Sequence, residues 1–166
     1  NLLYKKNEDS TLNSEYHPPV TPIRAAARLN KYSINCIIPE QIEKDAKLQN
    51  NLKGLMRFCN MFRFQRVMNS FKKIEDRELF EASYIRFVWD KPDLTEEELD
   101  LICNLSLNIV NYTNMQQEIN DLREMRDKCL DDSEGKRVSM SIVEEMKNIK
   151  KDLDENEKRQ NSIIKT

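Results

Sequence analysis

The chain has 166 residues, a formal charge of −2, charged side chains at 34% of positions and only two glycines. That length suits one domain, or a small domain with an appendage, and falls short of two domains of full size. Gly54 and Gly135 lie too far apart to form a Gly-rich phosphate loop, a dinucleotide fingerprint or a nucleophile elbow, and so few glycines favour long helices over a many-stranded sheet. The expectation is an all-α chain that is not an enzyme.

No apolar run approaches the ~20 residues that would span a bilayer, and residues 1–16 lack the apolar stretch of a secretory signal. A soluble chain in the cytoplasm is expected, without a membrane partner. Because the chain opens on Asn1 and stops at Thr166 within a helical pattern, both ends of a longer protein are expected to lie outside it. Cys36, Cys59, Cys103 and Cys129 are 23, 44 and 26 residues apart, and His17 is the only histidine. Zinc sites usually show close Cys/His pairs, so no metal and no cofactor are expected, and the thiols read as free and buried.

Residues 1–20 are polar and aperiodic, and read as a flexible N-terminal arm. A helical domain is expected over 21–93. Thr21 before Pro22 has the N-cap and first-turn signature of a helix that ends near Asn30 to Tyr32. Residues 33–38 read as a loop or short extended piece, and Pro39 opens a second helix. The span 22–41 has the outline of a helix-turn-helix, although Pro39 delays its second helix. In the second helix Leu48, Leu52, Leu55, Met56, Cys59 and Phe62 share one face. Phe64, Val67, Met68, Phe71 and Ile74 form another stripe rotated by roughly 120° at ~100° per residue, which demands a break near 61–63. Gly54 weakens the first stripe by about 1 kcal/mol relative to Ala. Leu79, Phe80, Ser83, Tyr84, Phe87 and Val88 continue at helical spacing to a boundary at 90–93.

Thr95 to Glu98 reads T-E-E-E, a capping box that opens a long helix. A heptad spacing runs from Leu101 through Leu105, Asn108, Tyr112, Met115, Ile119, Leu122, Arg126 and Cys129, with a turn at 131–136 about Gly135. Ser141 to Glu144, S-I-V-E, offers a second capping box. Ile142, Met146, Ile149, Leu153, Asn156, Gln160 and Ile163 then alternate at 4 and 3, so that folding back brings Ile149 near Leu122 and Leu153 near Ile119. Residues 95–166 are thus expected to form a long antiparallel helical hairpin, coiled-coil-like. Polar seam residues fix register and partner choice at a cost in stability. A second strip, Leu99, Ile102, Ile109 and Val110, with Tyr112 and Met115, must meet the N-terminal helices or another subunit, and is read as the oligomerisation surface.

Charge is distributed unevenly. Residues 46–74 carry Lys47, Lys53, Arg57, Arg63, Arg66, Lys72 and Lys73 and no acid, whereas 75–102 hold ten acids against Arg77, Arg86 and Lys91, so +7 is followed by −7. Seven cations without an intervening acid suit a polyanion. Lys53 and Arg57 lie one turn apart, Arg66 and Lys73 are expected on one polar face, and the candidate phosphate contacts on double-stranded DNA are Lys53, Arg57, Arg63, Arg66, Lys72 and Lys73. If six charges neutralise phosphates, log affinity falls with log salt with a slope of about −5. Phe58, Phe62, Phe64 and Phe71 are interleaved with these charges at core spacing and are read as core rather than base-stacking platforms. The alternative is a structural or adaptor protein that assembles head-to-tail, the acidic segment of one copy on the basic segment of the next, without nucleic acid.

RELFEASYIRFVWDKPDLTEEELDLICNLSLNIV (77–110) and GKRVSMSIVEEMKNIKKDLDENEKRQNSIIK (135–165) together resemble helical proteins of tailed bacteriophages assigned as small terminase subunits. The likeness covers the C-terminal half only and involves no short signature. It implies a non-enzymatic DNA-recognition subunit that assembles into a ring through helices. Such a ring would present viral DNA to the large terminase subunit during genome packaging, in the host cytoplasm. The front of the chain departs from the pattern, having only an equivocal helix-turn-helix, so DNA-contacting residues come from charge alone.

Overall fold

A computed structural model describes residues 15–128 and 133–165. Among them lie seven helices and no strand: α1 (Pro22–Lys31), α2 (Pro39–Lys44), α3 (Ala46–Cys59), α4 (Phe62–Ser70), α5 (Ile74–Val88), α6 (Glu96–Lys128) and α7 (Ser133–Ile164). The chain divides into two compact units, Asn1–Ser106 and Leu107–Thr166, and the division falls inside α6. No helix among the described residues is long and apolar enough to cross a membrane.

Local chemistry sets the ends of the early helices. Thr21 Oγ1 accepts from the Arg24 N–H at 3.2 Å, removing one of the orphan donors of the first turn of α1. α1 stops at Tyr32, where the Ser33 and Ile34 N–H groups return to the Asn30 and Leu29 carbonyls and Ser33 takes φ 54°. The expected helix from Pro39 is two helices. Asp45 is extended, and its Oδ1 accepts from the Lys47 and Leu48 N–H groups at 2.9 and 3.1 Å, so an N-cap interrupts an apolar pattern that by itself runs on. With six residues α2 is about 9 Å long, which leaves the helix-turn-helix outline without a recognition helix at that position.

The break near 61–63 is present: α3 closes on Asn60, and Met61 is extended. A second break lies where the apolar spacing predicts none, at Phe71 (ψ 132°) and Lys73 (ψ 138°). Arg66 and Lys73 consequently belong to different elements and do not share a helical face. Of the expected flexible arm, 1–20, residues 1–14 lie outside the described residues. Within the remainder Tyr16 is buried, and its N–H donates to Asn69 Oδ1 at 2.8 Å.

The core of the first unit is aromatic. Phe64 meets Tyr84, Phe80 and Tyr16 at centroid separations of 4.3, 5.6 and 5.6 Å, and Phe71 meets Phe80 at 5.5 Å. Separations in this range suit offset and edge-on aromatic pairs. Leu29, Leu52, Leu55, Phe58, Ile85 and Val88 complete the buried set. Phe58 and Phe64 are core as expected and Phe71 is half-buried, but Phe62 is exposed.

The T-E-E-E capping box exists. The Thr95 N–H donates to Glu98 Oε2 at 2.8 Å and the Glu98 N–H donates to Thr95 Oγ1 at 3.3 Å. The Thr95 backbone donor, then its hydroxyl, holds the Glu98 carboxyl below its ordinary value. The S-I-V-E box does not form, because α7 already starts at Ser133 and Ser141 lies within it. Gly135 is inside this helix, and residues 131–132 of the expected turn lie outside the described residues. Leu101, placed in the heptad seam, is exposed.

In the second unit Ile119 of α6 clusters with Ile142, Met146, Ile149 and Leu153 of α7, and Tyr112, Met115 and Leu122 pack against them. Asn156 is buried and its Nδ2 donates to the Asn108 carbonyl at 3.3 Å. Asn156 Oδ1 and Gln160 Nε2 are buried without a hydrogen-bond partner among the described residues. Such atoms cost of the order of 1–3 kcal/mol each, which makes this seam polar at a price in stability.

Gly54 contradicts its propensity. A Cβ there would lie 2.9 Å from both Cα and Cβ of Pro92, so the bare backbone of α3 is what lets the 90–93 connection pack. Gly54→Ala is therefore expected to destabilise by about 1–3 kcal/mol through overpacking, against the ~1 kcal/mol gain that helix propensity alone predicts. Chemical denaturation of the two proteins gives the sign.

Candidate nucleic-acid interface

Six of the seven cations in 46–74, Lys47, Lys53, Arg57, Arg66, Lys72 and Lys73, are exposed, and none forms an ion pair among the described residues. Lys53 and Arg57 stand one turn apart on α3, opposite the buried Leu52, Leu55, Phe58 and Cys59. Arg57 Nη2 donates to the Pro92 carbonyl at 2.8 Å and its guanidinium lies 5.0 Å from the Phe58 ring centroid. Both partners are neutral, so its charge is placed without being cancelled. Arg66 lies on the outer face of α4. Lys72 and Lys73 lie in the connection between α4 and α5, with Lys73 extended as the N-cap residue.

Arg63 is different. Its Nη1 lies 2.7 Å from Asp100 Oδ1 and its Nη2 donates to Asn104 Oδ1 at 2.6 Å. Both bonds tie α4 to the first turns of α6. Among the described residues, it alone of the six candidate phosphate contacts has a carboxylate partner.

Asp100 apart, the acids after the basic stretch that form ion pairs among the described residues do so with cations outside it. Glu81, 2% exposed, accepts from Arg28 Nη1 at 2.7 and 2.6 Å through its two oxygens, and from the Tyr32 hydroxyl at 2.6 Å. Glu78 pairs with Lys31 at 2.8 Å, and Asp90 with its neighbour Lys91 at 2.9 Å. Arg28 also reaches the His17 carbonyl at 2.8 Å, and its guanidinium sits 5.5 Å from the Tyr16 ring. Burial, then the Glu81 charge, pushes the Tyr32 phenol up, so it stays protonated and donating. The partners of Glu81 and Glu78, 47 to 53 residues away, could not be read from periodicity.

An open groove of about 680 Å³ is lined by Ile38, Leu48, Trp89 and Asn51, among others. Its rim carries Lys44 and Lys47 against Glu40, Asp45 and Asp90, a formal balance of −1 that does not attract phosphate. No group of three or more His, Cys, Asp or Glu among the described residues could hold a metal. Cys59 and Cys103 are free and buried as expected, but Cys36 is exposed; Cys129 lies outside the described residues. Burial, then the nearby Glu81, pushes the Cys59 thiol up to about 12.

Of the residues read as an oligomerisation surface, Leu99 and Val110 are buried within the single chain, while Ile102, Ile109, Tyr112 and Met115 are half-buried. The larger exposed apolar side chains of the second unit are Met125, Met140 and Ile164. No family model, no curated protein and no solved structure matches this chain.

The Arg28–Glu81 pair yields a direct expectation. Removing one partner of a buried ion pair leaves an uncompensated charge and costs about 3–5 kcal/mol, so Arg28→Met should lose about that much stability in urea. Lys31→Met, at an exposed pair, should lose less than ~1 kcal/mol.

Proposed function

We propose that this chain is a non-catalytic, self-assembling DNA-binding subunit whose cationic strip, Lys53, Arg57, Arg66, Lys72 and Lys73, contacts duplex phosphates. One observation supports this above the others: the strip is exposed and has no carboxylate partner among the described residues, although ten acids follow it in the sequence. Phosphate contacts position a protein on DNA without reading its sequence. The resemblance to small terminase subunits adds the setting, viral genome packaging, with the large terminase subunit as partner. The antiparallel hairpin of α6 and α7 is the assembly element in this reading. It is supported by the shared apolar cluster and by the unpartnered Asn156 and Gln160 atoms in its seam; a ring of copies follows from the resemblance.

A second reading has its own support. Glu75, Asp93, Glu96 and Glu97 are exposed and unpaired among the described residues, so the strip of one copy can dock on the acids of the next, head-to-tail and without nucleic acid.

Duplex DNA titrated over a range of salt separates the two. With five contacts, log affinity should fall against log salt with a slope of about −4.5, and each of Lys53→Gln, Arg66→Gln and Lys72→Gln should reduce the slope by about 0.9. Arg63→Gln should leave the slope unchanged and lower the melting temperature. Absence of DNA binding, together with a mass that falls as salt rises, would favour the adaptor.

A further inference from the structure

Phe62 is the only exposed aromatic among the described residues, at 79%. Burying such a ring is worth about 1.5–3 kcal/mol relative to exposure, and the spacing that runs through Leu55 and Cys59 offered it a core position. The break at Asn60 and Met61 takes it out of that stripe and makes it the first residue of α4.

Its new surroundings are specific. At ~100° per residue, Phe62 and Arg66 lie one turn apart and about 160° from the buried Phe64 and Met68. The ring and the guanidinium thus share the outer face of α4. This helix carries Arg63 and Arg66 and no acid, and the helix before it presents Lys53 and Arg57. An aromatic that faces another protein is ordinarily ringed by residues that exclude water in a pocket. Arg63 is paired with Asp100, but Arg66 has no ion pair among the described residues, and an aromatic beside such a cation suits a polyanion that also offers π faces, as nucleic acid does.

We infer that Phe62 stacks on a nucleobase, with Arg66 holding an adjacent phosphate, so that the cationic strip engages DNA at an unstacked base. The inference rests on the phosphate-binding reading and adds a base contact to it. Two sources present such a base: a duplex step opened by an apolar wedge, and a single strand on a stacking platform. Flexible pyrimidine–purine steps give way most easily to a wedge, which gives the duplex form of the contact a preference that the phosphates alone would not.

The test uses the full chain with Phe62→Ala and Phe62→Trp, on a fluorescent duplex containing a TA step and on its single strand, over the same salt range. The side chain is exposed, so both variants should melt with the parent protein. Phe62→Ala should weaken binding roughly 5- to 150-fold at an unchanged salt slope, as loss of one stacked base does, while Phe62→Trp retains affinity. On the duplex, a thymine of the opened step should react with permanganate under the parent protein and not under Phe62→Ala, whereas on the single strand stacking should protect a thymine that Phe62→Ala leaves reactive. A loss on the duplex assigns the opened step, and a loss confined to the single strand assigns the platform. Undiminished affinity and unchanged permanganate reactivity in Phe62→Ala would overturn the inference and leave the phosphate contacts standing. A change in oligomeric mass without DNA would make Phe62 a protein contact and overturn it as well. If the parent protein binds no DNA at any salt, the phosphate reading itself fails and takes the inference with it.

Discussion

Glu81 governs the charge layout of the first unit. Enclosed at the centre of α5, it is held from α1 by both contacts of Arg28 and by the Tyr32 hydroxyl. A carboxylate at that depth would be costly if left alone, and its pairing fixes which way α5 turns. With Glu81 against α1, Glu78 falls one turn earlier on the same side and meets Lys31. The acids of α5 that are paired are thus paired with α1, whose cations stand outside the basic stretch. Two acids of α5 are matched by α1, and the strip is left to solvent.

Energetics favours that division. An exposed ion pair contributes roughly 0–1 kcal/mol, so leaving Lys53, Arg66, Lys72 and Lys73 unpaired forfeits little stability. Their mutual repulsion is screened over about 8 Å at physiological salt. Arg63 is the exception: it joins α4 to Asp100 and Asn104 of α6 through contacts that are themselves exposed. Arg57 shows a third arrangement, anchored on a neutral carbonyl and a ring so that its position is fixed and its charge remains available.

What was legible in the sequence was chemistry that acts within a few residues. Thr21 with Pro22, Thr95 with Glu98 and the clash of two apolar stripes near Met61 each mark a boundary that the structure shares. Breaks across which the apolar spacing runs on in register were hidden, because such spacing reads as one continuous face. The Asp45 cap lies inside an uninterrupted stripe, and the extended Phe71 keeps its ring against Phe80. Phe62 followed from the same blindness: its spacing was right for a helix that ends three residues earlier. The candidate cations were legible as a block, but pairing across 37 residues, as between Arg63 and Asp100, is set by tertiary packing and leaves no local mark.

The second unit has a simpler logic, an apolar cluster shared by α6 and α7 beside a buried Asn156 that spends one amide hydrogen on the Asn108 carbonyl. Polar groups in such a seam restrict which registers are tolerated. The central claim, however, concerns the lysines and arginines of the first unit, and amine labelling reads it residue by residue. In the free chain Lys47, Lys53, Lys72 and Lys73 should be acylated as fast as an unstructured lysine, with Lys31 slower because Glu78 holds it. Duplex DNA should then protect Lys53, Lys72 and Lys73 together. Slow labelling of those three without DNA, or labelling that DNA leaves untouched, would contradict the account.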